Sequence, residues 1–316
     1  MRFLADLANR PVRLGSTWAI TRSALASAPL LTLLTNPPHA IFPSLRSLPE
    51  QGRCEGIAGY LVACVVDNGE YGWMAHAILT VLFAAVASGV LPAVTGPVHV
   101  YAALSYMNVL GTLDGGEQAA LAFSVWALPI CLVDWRLTHW RRWVEPEERA
   151  TTTLSMFRRS TVTVFVFIAK IQVSLIYLQA CLSKLSVPEW ADGTAFYYWT
   201  VDGYLPPPSI FASLVTWMSS VPAFVLAATY GALILEFALG ISLLIRRVEI
   251  RRALWFAALL FHSMIGVVFG IWSFAVVMMA LATFLLSPVQ LSGWWKTRDP
   301  QQDPQQDTER VGAEQQ

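Results

Sequence analysis

Charge is what this sequence most conspicuously lacks: Asp, Glu, Lys and Arg make up 13% of its 316 residues, where a soluble domain carries about 25%. Hydrophobic residues account for 55% and the mean hydropathy is +0.52. That leaves too little polar surface to cover a core in water, so a bilayer is the expected solvent. Cysteine is scarce, with four residues, and none pairs with another Cys or a His at metal-ligand spacing, so no metal site is expected. A Gly-rich phosphate cradle is missing, as is a basic stripe with interleaved aromatics, which removes nucleotide and nucleic-acid binding. The sequence shows no internal repeat of the kind many transporters have, which argues against a small-solute pathway. Lysine is limited to Lys170, Lys184 and Lys296. The formal net charge of +0 hides a segregation of basic clusters from acidic loops and says nothing about partners.

What is present is a series of apolar runs, each near the 20 residues that a membrane helix requires. Eight are expected: Leu14 to Leu34, Tyr71 to Leu91, Val98 to Leu113, Gln118 to Val133, Thr161 to Leu182, Val221 to Ile245, Ala253 to Gly270 and Ile271 to Leu286. The fold class is therefore all-α, a polytopic membrane helical bundle of about eight transmembrane helices. The amino terminus imitates a secretory signal, with Arg2, Arg10 and Arg13 before an apolar run and Ala26, Ser27 and Ala28 at a cleavage-like position. Arg22 interrupts that run and Pro29 would follow the cut, so a retained first helix is expected.

Four basic clusters fall on one side of the eight-helix layout: Arg10 with Arg13, Arg136 with Arg141 and Arg142, Arg246 and Arg247 with Arg251 and Arg252, and Lys296 with Arg298. The positive-inside rule makes that side cytoplasmic and places both termini there. Trp135, Trp140, Trp143, Trp294 and Trp295 stand beside these clusters, where an indole favours the headgroup layer. The outer side receives two long loops, 35–70 and 186–220, and the acidic turn of Asp114, Gly115, Gly116 and Glu117. Residues 1–298 read as one membrane domain, and 299–316, rich in Gln, Asp, Pro and Glu, as a disordered cytoplasmic tail.

Cys54 and Cys64 share the first outer loop, where a disulfide is the preferred reading over two free thiols. Cys131 and Cys181 are flanked by apolar residues and read as small buried hydrophobes. A charge within hydrocarbon costs several kcal/mol, about 2.5–3.5 on insertion scales, and so marks a partner, a pathway or a site. Arg22, Lys170, Glu236 and His262 stand out in this way. Counting at about 1.5 Å per residue puts the last three about 15 Å deep, where they could meet. Glu236 and His262 occupy mirror positions of an antiparallel pair. Arg22 could neutralise an acid such as Glu236 or bind a carbonyl, and Gln172 and Asn108 could complete such a network or act as simple interhelical donors. A packing knot and a functional site are both open readings for these residues.

A second cluster follows Tyr177: Lys184 between Leu182 and Leu185, then Trp190 and Asp192. A partly desolvated lysine can serve as base or nucleophile. The alternative is a side chain that snorkels to the interface. Trp190 would anchor in the headgroups, and Asp192 would cap a helix starting near Thr194.

Lys170-Ile-Gln172 leading to Tyr177, Lys184-Leu with Trp190 and Asp192-Gly193, Gly231 to Glu236, and Phe261-His262-Ser-Met running to Gly270 together resemble the horizontally transferred transmembrane (HTTM) domain, shared with vitamin K-dependent γ-glutamyl carboxylases. The amino-terminal half is similar to the sporulation-delaying protein B family in Thr21-Arg22-Ser23-Ala24 with Leu31 to Leu34, the Cys54 and Cys64 loop, Gly115-Gly116 before an acid, and Asp134-Trp-Arg136 with Trp140. The first resemblance implies that Lys184 is an active-site base, and the residues themselves offer Glu236 and His262 as its buried polar support. The second implies a bacterial plasma-membrane protein that, with a small partner encoded alongside, matures a secreted antimicrobial peptide toxin from its precursor. One lysine stands where the carboxylases have two, and no histidine lies in the turn around Asp114, so carboxylation does not carry over. The reaction stays open and so does the cofactor, a quinone-like one by resemblance alone. The rival expectation is a non-catalytic scaffold or immunity-type protein that binds the peptide or its partner.

Overall fold

The computed structural model describes residues 13–42, 54–66, 72–110, 115–141, 143–144, 152–201 and 207–287. The expected tail 299–316, the upper limit of the membrane domain, and Arg2, Arg10, Arg142, Lys296, Arg298, Trp294, Trp295 and Asp114 lie outside them.

The described chain is helical apart from one antiparallel pairing of two-residue strands, β1 (Arg13–Leu14) with β2 (Trp143–Val144). The helices are α1 (Ser16–Thr35), α2 (Pro38–Ile41), α3 (Val62–Val66), α4 (Gly72–Ser88), α5 (Pro92–Val109), α6 (Gly115–Leu132), α7 (Thr153–Leu185), α8 (Pro188–Ala191), α9 (Ala195–Val201), α10 (Ser209–Ser219), α11 (Pro222–Gly240), α12 (Val248–Phe269) and α13 (Trp272–Leu286). Local chemistry sets several boundaries. Proline opens α5, α8 and α11, where the missing N–H costs nothing. Thr152 caps α7 by accepting from Ser155 N–H.

A helix stands at each of the eight expected runs, but the expectation of eight spans needs correction. Among the described residues three helices, α7, α11 and α12, are long and apolar enough to cross a membrane. Others fall short in length, such as α4 with 17 residues and α13 with 15, or are diluted by Pro, Gly, Ser and Thr, as α1, α5 and α6 are. The sequence runs overestimated the spans because turn residues such as Gly89, Val90 and Leu91 are themselves apolar.

Helix α13 is the centre, packed against α1, α6, α7 and α12. Trp18, Phe123 and Phe284 meet there, with the two phenylalanine rings edge-on at 4.9 Å. A smaller core joins α1, α3, α4 and α5 through Leu33, Val62, Leu79, Phe83 and Tyr106. At the mouth of that half, Cys54 and Cys64 form a disulfide, while Cys131 and Cys181 are buried thiols.

Candidate functional site

Three bonded groups of buried polar side chains stand out among the described residues. The first lies between α7 and α11. Lys184 Nζ donates to both carboxylate oxygens of Glu236, at 2.7 and 2.8 Å, and to Ala180 O at 3.4 Å. A helical side chain leans towards its helix's amino terminus. Lys184 therefore points back into the bundle, and the direction expected for a snorkelling lysine is not the one taken. Glu236, leaning along the antiparallel α11, comes up to meet it. The lysine side chain is 26% exposed and the glutamate 8%.

Helix α7 stops alongside the middle of α11. Cys181 Sγ donates to Leu233 O at 3.4 Å, and Tyr230 Oη donates to Ala191 O at 3.0 Å. The segment after α7 folds over its end. Trp190 lies over the ammonium, 5.3 Å from its ring centre. Gly193, at φ +88°, lets this cover sit against α11, since a Cβ there would come within 2.6 Å of Leu226 and 2.9 Å of Tyr230. Asp192 Oδ1 accepts from Thr194 N–H at 3.0 Å and its hydroxyl at 2.6 Å, a local turn ahead of α9.

The second group is two turns further in along α7. Tyr177 Oη donates to Met278 O at 3.1 Å and sits 3.1 Å from His262 Nε2. With its proton committed to the carbonyl, Tyr177 accepts from His262, which assigns the Nε2–H tautomer. His262 Nδ1, fully buried, has no hydrogen-bond partner among the described residues.

Lys170, Glu236 and His262 do not converge as the depth count implied. Lys170 Nζ donates to Leu285 O at 3.1 Å and Ser287 O at 3.0 Å, capping α13. Arg251 Nη2 joins it on Leu285 O at 2.9 Å. Two cations at a helix carboxyl end satisfy orphan carbonyls and the helix dipole. Glu236 bonds Lys184 rather than His262. Gln172 is half-buried without a hydrogen bond among the described residues, and Asn108 Nδ2 faces Cys64 Sγ at 3.6 Å, far from Lys170. A depth count fixes height on a helix but not which face is presented, and that is where it failed.

Arg22 likewise meets neither Glu236 nor a carbonyl among the described residues. It is 1% exposed, with Nη1 on His139 Nδ1 at 3.0 Å and Nη2 donating to Thr95 Oγ1 at 2.6 Å. His139 Nε2 then faces Ser23 Oγ at 3.1 Å, and Ser23 donates to Ala87 O at 2.7 Å. The third group is thus one directed chain: guanidinium to Nδ1, Nε2–H to serine, serine to carbonyl. Burial, with the Arg22 and Arg136 charges beside it, pulls the His139 pKa down to about 3. Asp134 holds Arg136 in a bidentate pair, with Nε to Oδ1 at 2.7 Å and Nη2 to Oδ2 at 2.6 Å. Gly89, at φ +79°, makes room, because its Cβ would lie 2.2 Å from His139 Nε2. Sequence reasoning missed His139 and Thr95. The available signal was that Arg22-Ser23 and Asp134-Trp-Arg136 were both distinctive, and His139, which Arg22 and Ser23 meet, sits three residues past the second.

Fold and site together define an all-helical membrane protein with an ion pair held between two helices able to cross the bilayer. The HTTM domain family matches residues 151–289, which carry Lys170, Tyr177, Lys184, Glu236 and His262. The chain is 31% identical over 276 residues to Sporulation-delaying protein SdpB of Bacillus subtilis (strain 168), covering 87% of this chain and 82% of that protein. It is 29% identical over 279 residues to YitO of the same organism, covering 87% and 86%. No solved structure matches. The chain belongs to the sporulation-delaying protein B family.

Proposed function

We propose that this protein is a multi-pass plasma-membrane factor in the production of a secreted peptide toxin, and that the Lys184–Glu236 pair is its working site. Family membership supports the toxin reading. The observation that carries the site is a lysine turned inward onto a buried carboxylate instead of outward to water. Such a pair has two forms of equal net charge. The proton on Nζ can pass to an oxygen 2.7 Å away, leaving a neutral amine and a neutral carboxyl without placing a charge in the bilayer. In the second form Lys184 is a base for a precursor group that displaces Trp190. Lys184 directs its donors to Glu236 and Ala180, and no step in this reading passes through a quinone-like cofactor.

In this reading α7, α11 and α12 cross the bilayer, and the basic end carrying Arg13, Arg136, Arg141 and Arg246 is cytoplasmic. Lys184 then opens to the outer leaflet, where the precursor and a small partner protein encoded alongside meet it. Lys170, Gln172, Tyr177 and Arg22 support the bundle, with residues 1–298 as the membrane domain and 299–316 as the tail.

The test is mass spectrometry of peptides secreted by cells carrying the protein with its neighbouring genes, comparing the native chain with Lys184→Arg. Arginine keeps a cation for Glu236 but stays charged at any accessible pH. Loss of the mature peptide, at unchanged membrane abundance, is expected. Native levels of it would make the pair a packing element and the protein a scaffold.

A further inference from the structure

Between Ala195 and Ser220 the sequence holds one charged residue, Asp202. Its two described helices, α9 with 7 residues and α10 with 11, are far too short to cross about 30 Å of hydrocarbon at about 1.5 Å per residue.

Helix α10 has three distinct sides. Val215 and Ser219 are buried against the protein. Ile210, Leu214 and Trp217, at i, i+4 and i+7, are 81%, 53% and 64% exposed. Ser209, Ser213, Thr216 and Ser220 are also exposed, and at about 100° per residue they form a stripe about a quarter turn from the apolar one. A helix facing only water has no reason to separate its exposed residues in this way, and a helix immersed in lipid would carry no hydroxyl stripe. Segregation of both kinds on the solvent side is the mark of a helix lying at a boundary. Trp217 is the apolar residue nearest the hydroxyl stripe, where an indole is favoured at the headgroup level.

The placement of α10 agrees. Pro208, just before it, packs beside Gly270 at the end of α12, 3.5 Å from where a Cβ would stand. Three residues after its end, Pro222 opens α11. Helix α10 therefore runs from one end of α12 to the matching end of the antiparallel α11, across the ends of two helices able to span a bilayer. Those helices expose apolar side chains of their own, including Leu226, Ile234 and Leu260. The arrangement is braced: Thr200 and Ser219 hydroxyls are 2.9 Å apart, Phe196 N–H donates to Thr229 Oγ1 at 3.2 Å, and the Phe196 and Phe224 rings meet at 5.3 Å.

We propose that α10 is an in-plane platform whose partner is the bilayer itself. Ile210, Leu214 and Trp217 lie in the headgroup–acyl boundary, and Ser209, Ser213, Thr216 and Ser220 face water. It fixes the height at which α11, and Glu236 on it, is held in the membrane. The proposal rests on the membrane reading and not on the toxin reading.

The test places a nitroxide on a single introduced cysteine at positions 210, 214, 213 and 216 of the full chain. The protein is reconstituted in phosphatidylcholine–phosphatidylglycerol vesicles, and collision with oxygen is compared with collision with a water-soluble nickel chelate. Cys131 and Cys181 are buried and Cys54 is bonded to Cys64, so the exposed site takes the label. Ile210→Cys and Leu214→Cys are expected to favour oxygen several-fold over Ser213→Cys and Thr216→Cys. Equal nickel access on both stripes would place α10 in water and overturn the proposal. Exclusion of both reagents at 210 and 214 would show a protein partner there and overturn it equally. Neither readout depends on peptide production, so failure here leaves the toxin reading untouched.

Discussion

Arg22 and Lys184 are both cations enclosed by an apolar bundle, but their surroundings differ. Arg22 is bound to an imidazole and a hydroxyl, in a hydrogen-bond chain whose every proton has one direction. Lys184 is bound to a carboxylate and has a quarter of its side chain exposed. A guanidinium that cannot lose its proton, held by neutral groups, locks α1 to the first turn of α5 and to the loop carrying His139, and has no second state. An amine beside a carboxylate has a second state one proton transfer away. The comparison teaches that buried charge alone does not mark the working site. The partner and its ability to exchange a proton do.

The largest effect expected in breaking this contrast is on the ion pair. Glu236→Ala leaves an ammonium buried without its acid and should destabilise by about 3–5 kcal/mol, read as a drop in Tm in nanodiscs. Adding Lys184→Met should restore much of that loss, whereas equal losses in single and double variants would deny that the two residues are coupled. At the other end, His139→Ala strips Arg22 of one partner and Ser23 of another. A hydrogen bond to a charged group contributes about 1.5–3 kcal/mol, so a loss of that size is expected, without effect on Lys184-dependent peptide production beyond that of protein abundance.

The third prediction uses pH. In the unfolded chain His139 takes a proton near its ordinary pKa of 6.5, while the folded protein refuses it until about 3. The unfolded state then binds more protons as pH falls from about 6.5 to about 3, and stability drops by about 1.4 kcal/mol per unit. His139→Asn should flatten the curve relative to the native chain, and parallel curves would remove His139 as the cause. The smallest effect concerns the cover. Trp190→Ala removes a cation–π contact of about 0.5–1 kcal/mol, so stability should barely move while the reaction of Lys184 with an amine-selective reagent quickens. An unchanged rate would show that Trp190 does not gate the lysine.

How far the sequence could be read depended on the kind of signal. Helix positions followed from apolar run length, and the Cys54–Cys64 disulfide from two thiols sharing one loop. Lys184, Glu236 and His262 were legible as candidates, because a polar residue in an apolar run is conspicuous without any structure. Their pairing was not. Glu236 had been matched to His262 by height on adjacent helices, but the face of α11 that carries Glu236 turns towards α7, and Tyr177 takes the histidine. His139 was invisible because it sits in a polar loop, where a histidine attracts no notice until Arg22 is found beneath it.

Apolar run length and the cost of a buried charge are properties of the chain alone, and from them it follows that this chain is helical, that it is a membrane protein, and which few polar side chains its interior has to accommodate. Which cation meets the carboxylate and which meets neutral groups is settled by packing. That choice depends on helix rotation and on where α7 ends beside α11, and both are set by packing between segments distant in sequence.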